Sequence, residues 1–234
     1  MSGPGHVYLA STSGGAFPAM VERAIASVKL RPGQRKARVA ISYAAVADSF
    51  AGRTFMKGFA AKSFWGSETT AFHVAGESSK MDAAKAKAIV DEADIVFLAG
   101  GDPVLGARLL RGAGADAWLR DARARGTPCL GVSAGAMMLC AWWASWPESA
   151  AQGASGAPFE GGELVACCGV VPDIVVDCHA EDDEWAELKL VSAMLAQRAG
   201  NAPLPRRLGL PTGAGLIVGA DGETSWLGAK PFEL

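Results

Sequence analysis

The chain has 234 residues, half of them hydrophobic, with 22 basic against 24 acidic side chains and a formal net charge of −2. That is enough apolar material for a sizeable core, and the near-balanced charge excludes the basic footprint of a nucleic-acid binder or a polybasic membrane patch. No run approaches the ~20 apolar residues that cross a bilayer, and the opening MSGPGHVYLASTSGG lacks the charged start and long apolar stretch of a secretory signal. The expectation is a cytoplasmic protein with neither a nucleic-acid nor a membrane partner.

From the N-terminus, 6–11 reads as a first strand, Gly14-Gly15 as a turn and 18–29 as a helix. A strand over 36–46, a helix over 50–63, a strand over 69–76 and an Ala/Lys-rich helix over 81–92 follow, the last opened by an aspartate. DIVFLAGG (94–101) is an unbroken apolar strand ending in two glycines, with short helices near 103–111 and 114–124 after it. PCLGVS (128–133) is the next strand and 134–146 the next helix. The stretch 147–163, rich in Gly, Ser, Ala and Pro, reads as a surface loop. Beyond it come strands at 164–171, 174–179, 213–219 and 223–228, with one helix near 183–198. Apolar strands alternating with helices indicate a parallel sheet buried on both faces. The expected architecture is a single α/β domain over 1–234: one doubly wound, mostly parallel sheet flanked by helices, without linker or repeat.

The five cysteines are Cys129, Cys140, Cys167, Cys168 and Cys178. An odd count without a C-x-x-C pair argues against a disulfide framework or a zinc site and for buried, reduced thiols. The three histidines, His6, His73 and His179, are too scattered for a local metal motif. The Trp142-Trp143-Ala144-Ser145-Trp146 cluster reads as core, or as a homodimer contact, ahead of a substrate pocket, because large aromatics are usually buried.

The sharpest local signal is Gly131-Val132-Ser133-Ala134-Gly135, where a buried strand gives way to a helix. That is the setting of a nucleophile elbow. The turn is so tight that the flanking side chains must be small, and it pushes the serine hydroxyl out at the C-terminal edge of the sheet. The N–H of Ala134 is then one natural oxyanion donor. A serine hydroxyl needs a base, and His179 is the histidine that lies downstream, at the end of the apolar strand IVVDCH. Strand C-termini are where α/β enzymes place functional groups. A second oxyanion donor could come from Gly100-Gly101, where the lack of side chains lets backbone approach a substrate. Each feature also has a plain structural reading: a serine-capped turn, a solvated surface histidine and a strand–helix turn.

In this order and spacing AGGDP (99–103), GVSAGAMM (131–138), VVDCH (175–179) and LGLPTGAGLIV (208–218) resemble the aspartyl dipeptidase and cyanophycinase family of serine peptidases. The resemblance implies a class I glutamine amidotransferase-like fold with serine at the elbow. It implies that Ser133 attacks an amide carbonyl, that His179 shuttles the proton, and that Gly101 and Ala134 hold the oxyanion. Gly100 and Asp102 would stand near the substrate, a short peptide or small amide, and no cofactor or metal would be needed.

Two departures bear on specificity and mechanism. Family members usually follow the histidine with phenylalanine and then arginines that hold an acidic substrate. Here Ala180 is followed by Glu181, Asp182, Asp183, Glu184 and Trp185, which would repel an aspartate side chain and suit a substrate bearing a positive charge or a free amine. The family's third triad acid belongs where Thr212 stands. A hydroxyl could orient the imidazole but not stabilise imidazolium as a carboxylate does. Glu181, Asp182 and Asp177 are the candidate substitutes, the sequence does not choose among them, and Asp177, two residues from His179 along a strand, could equally bind substrate. Two other readings remain: a catalytically silent member that binds a ligand or protein, and an α/β-hydrolase esterase. The esterase fold places its histidine near the C-terminus, whereas 55 residues follow His179.

Overall fold

A computed structural model describes residues 3–47, 49–74, 82–146 and 162–234. Its centre is a seven-stranded sheet of order β11-β10-β1-β5-β4-β2-β3. The strands β1 (Val7–Ala10), β2 (Arg38–Ser42), β3 (Glu68–Phe72), β4 (Ile95–Leu98) and β5 (Cys129–Val132) run parallel. The strands β10 (Gly215–Val218) and β11 (Thr224–Leu227) close one side antiparallel.

Strand periodicity sends alternate side chains to opposite faces. Val7, Leu9, Val96, Leu98 and Cys129 go to one buried cluster, and Tyr8, Ala10, Ile95, Phe97, Leu130 and Val132 to the other. On the second face lie α1 (Phe17–Ser27) and α2 (Phe50–Ser63), where Phe97 is fully buried among Phe17, Phe59 and Phe64. Burying one such ring contributes about 2–3 kcal/mol. The first face is covered by α3 (Ala83–Glu92), α4 (Pro103–Gly112), α5 (Ala115–Ala124) and α6 (Ala134–Leu139). Polar caps start several of these helices: Ser49 accepts from Gly52 N, and Asp82 from Lys85 N. The doubly wound α/β expectation is met.

The differences lie mainly after the elbow. The helix expected over 134–146 ends at Leu139, and Trp142–Ser145 forms β6, paired antiparallel with β7 (Glu163–Ala166). An uncharged, aromatic-rich run suits helix and strand equally; tertiary pairing decides here. Residues 167–171, expected to continue a strand, instead donate their N–H groups to the carbonyls of Met138, Leu139, Cys140 and Ala141, so they terminate α6. Their own carbonyls at Cys167 and Cys168 accept from Arg111 and Arg120 of α4 and α5.

The strand β8 (Ile174–Cys178) does not extend the main sheet. It pairs parallel with β9 (Arg206–Leu210), which pairs with β12 (Phe232–Glu233), and neither β9 nor β12 was evident from pattern. The expected strand over 36–46 stops at Ser42 and is followed by a 3-10 turn, Ala44–Val46. The last helix, α7, spans Ala186–Ala199. Most of the expected 147–163 loop, and the end of the expected 69–76 strand, lie outside the described residues. All five cysteines are buried and free, as expected. Among the described residues no helix is long and apolar enough to cross a membrane.

Candidate active site

Ser133 follows β5 directly and carries φ +53°, ψ −123°, a backbone state that costs a non-glycine residue of order 1–3 kcal/mol. Surrounding structure enforces it. Ser133 N–H donates to Ala10 O at 2.9 Å, prolonging the β1–β5 ladder, while Ala136 and Met137 N–H groups already bond the Ser133 carbonyl as α6 begins. The flanking glycines have no alternative. A Cβ on Gly131 would lie 2.4 Å from Gly135 O, and one on Gly135 would lie 2.0 Å from Leu98 O. Strand and helix are in backbone contact, and only the serine side chain points outward. It is partly exposed.

The imidazole comes from the other end of the fold. His179 follows β8 in a left-handed conformation (φ +49°), with its N–H bonded to Leu210 O at 2.9 Å. That turn brings Nε2 within 2.9 Å of Ser133 Oγ. The two groups, 46 residues apart in sequence, meet at the rim of a cleft of about 760 Å³. His179 is itself exposed.

Three of the groups considered for the third position separate clearly. The Glu181 carboxylate accepts the Thr212 N–H at 2.9 Å. A hydrogen bond from the Thr212 side chain, more than any other cause, holds its carboxyl below the usual value, and the neighbouring His179 adds to this. Glu181 and Thr212 are therefore one unit beside the histidine. Asp177 stands apart. Its Oδ1 accepts the Cys178 N–H at 2.8 Å, and its Oδ2 is buried with no hydrogen-bond partner among the described residues. Burial first, then the charges of Glu187 and Asp183, push its carboxyl up to about 7. The N–H groups of Cys178 and, from outside bonding geometry, Leu188 oppose that rise only in part.

Gly101 and Ala134 both line the cleft, the one after β4 and the other at the start of α6. Gly101 adopts φ +143° and packs so closely on the Ala44–Val46 turn that a Cβ would sit 2.3 Å from Ala45 O. Gly100 is buried behind the serine, 3.4 Å from Ser133 Cβ to its ideal Cβ position. Asp102 reaches the cleft wall, but its carboxylate is committed to the N-cap of α4, accepting from Val104 and Leu105 N–H at 2.8 and 3.0 Å.

Some lining residues escaped sequence reasoning. Trp143 is core as expected, with Trp142 and Trp146 packed against that core, but Trp143 and Trp146 also form part of the cleft wall, and Trp142 faces Arg198, 4.6 Å from its guanidinium. Arg108 and Glu187 also line it, from α4 and the first turn of α7. Nothing in a linear pattern places either helix beside β8. The acidic residue in the first turn after the IVVDCH block was the available signal for Glu187.

A mostly parallel sheet flanked by helices, of the glutamine amidotransferase-like type, here carries a strained serine at a strand–helix corner with an imidazole at its hydroxyl. Residues 19–203 match the profile of Peptidase family S51. The chain belongs to peptidase family S51. The fold is similar to the crystal structure of a peptidase from an acI-B1 Actinobacterium (TM-score 0.70, 17% identity, covering 99% of this chain and 98% of that one). It is also similar to a protein from Listeria monocytogenes EGD-e assigned as peptidase E (TM-score 0.59, 14% identity, 97% and 100% covered). No curated protein matches the sequence.

Proposed function

We propose that this peptidase is of the serine type, cleaving an amide bond of a short peptide through an acyl-enzyme on Ser133. The observation that carries the reading is the 2.9 Å contact between Ser133 Oγ and His179 Nε2 at a corner where backbone geometry holds the hydroxyl outward. That distance lies within the reach proton transfer requires.

In this reading Oγ attacks the scissile carbonyl carbon while its proton passes to His179 Nε2. The carbonyl oxygen takes up the negative charge and is met by the N–H groups of Gly101 and Ala134. Removing one such donor typically costs 10²–10³ in rate. The imidazolium then gives its proton to the leaving nitrogen, the amine departs and Ser133 remains acylated. Water attacks the ester, again losing a proton to His179, and releases the acid. Glu181, anchored by Thr212, supplies the negative charge beside the imidazolium. Asp177 takes no part in holding the ring, because its carboxylate is engaged by the Cys178 N–H and its electrostatic neighbours are Glu187 and Asp183.

A fluorophosphonate probe tests the proposal. Wild-type protein should be labelled at Ser133, and Ser133→Ala should not. Equal labelling of both, or none of either, would overturn it.

A further inference from the structure

We infer that the cleft beside Ser133 holds a cationic group of the substrate, an ammonium or guanidinium, against the buried carboxylate of Asp177 and its neighbour Glu187. This rests on the hydrolase reading for its biological meaning, but the site itself stands on independent observations.

The first is an unsatisfied group. Asp177 is 4% exposed and lines the cleft, yet Oδ2 has no protein donor among the described residues. Buried polar atoms are nearly always paired, and an orphaned carboxylate oxygen is among the costliest exceptions. A ligand donor would remove that cost.

The second is the surrounding charge. Asp182, Asp183 and Glu187 line the same cleft, and Glu187, like Asp177, has its carboxyl raised chiefly by burial and then by Asp183. Asp183 is partly occupied in capping α7, accepting from Trp185 and Ala186 N–H at 3.0 and 3.3 Å. Among the described lining residues the one arginine, Arg108, is ion-paired to Glu163. Among the described residues the wall therefore gathers like charges that repel each other, with its arginine already engaged. Native proteins tolerate such a cluster where a ligand completes it.

The third is the remaining lining. Met137, Trp143 and Trp146 give the cleft apolar walls suited to the methylene stem of a lysine or arginine side chain. A free α-ammonium presents the same charge without the stem. The acidic wall runs from β8 through the Glu181–Asp183 turn to α7, and His179 stands directly after β8 on the same path, so cation and scissile bond would lie in one continuous space.

Binding to Ser133→Ala protein separates this inference from the catalytic one. Three probes suffice: N-acetyl-lysine amide (side-chain cation), alaninamide (α-ammonium) and N-acetyl-alanine amide (neutral). At least one cationic probe should bind about tenfold or more tightly than the neutral one, the return expected of a charge-assisted hydrogen bond. The tighter of the two identifies the source of the charge. Adding Asp177→Asn should erase most of that margin, and Glu187→Gln should reduce it. Equal binding of all three probes, or a margin that survives both substitutions, overturns the cation site. Serine labelling that is lost while the margin persists would sink the hydrolase reading alone.

Discussion

The two arms that meet at the cleft are built on different physics. At the β5–α6 corner, position is set by steric exclusion: backbone passes so near backbone that only glycine fits at 131 and 135, and Ser133 has one direction left for its side chain. Across the cleft, the β8–α7 arm is organised by charge. His179 is exposed, Glu181 is steered by Thr212, and the carboxyls of Asp177 and Glu187 are raised by burial and by their acidic neighbours. The comparison teaches that Ser133 is located by packing, whereas the acidic groups across the cleft are governed by burial and by one another's charge. Substitutions on the first arm should cost stability, and those on the second should change activity and pH response.

The largest effect is expected on the charged arm. His179→Ala should lower the rate of serine acylation about ten-thousand-fold, ~5 kcal/mol of activation free energy, with thermal stability unchanged because the ring is exposed. Retained acylation would place the base elsewhere. On the steric arm, Gly135→Ala should cost about 3 kcal/mol or prevent folding, since the obstructing atom is the Leu98 carbonyl rather than a flexible side chain. A melting temperature close to wild type would break the contrast between the arms.

A smaller effect concerns Asp177. Its folded-state value of about 7 lies above the ordinary 3.8. Folding therefore takes up a proton between those values, stability falls as pH rises through that window, and the loss is complete above 7. Asp177→Asn should match wild type below pH 4 and be the more stable protein at pH 8. The gain should be less than the ~4 kcal/mol of the full window, because the amide is buried too. Melting curves at the two pH values check this, and a constant offset would show that Asp177 stays ionised throughout. The smallest effect is expected for Glu181→Gln, about tenfold on kcat with KM unchanged, since the charge acts only once imidazolium forms. A rise in KM instead would assign Glu181 to substrate binding.

Much of the site was legible in the chain. G-x-S-x-G marks a local constraint: a strand–helix corner with no room at two positions announces itself in consecutive residues, and the terminal histidine of an apolar strand is a short-range feature too. The Ser133–His179 contact spans 46 residues, and sequence order alone suggested it without supplying a distance. The identity of the residue beside the imidazole was not legible. Thr212 stood at the family's acid position without a carboxylate and the nearby acids could not be ranked on paper, whereas in the fold Glu181 is bonded to Thr212 and Asp177 is buried in the cleft wall.

By itself the sequence determined the layered α/β core and the elbow, because alternating burial and glycine crowding act between near neighbours. Only the tertiary structure decided that Trp142–Ser145 would be strand, that β8 would join a separate sheet with β9, and that a buried carboxylate would line the same cleft as Ser133. Those outcomes depend on hydrogen-bond partners and charges brought in from distant segments, and no local pattern encodes what a residue will meet across the fold.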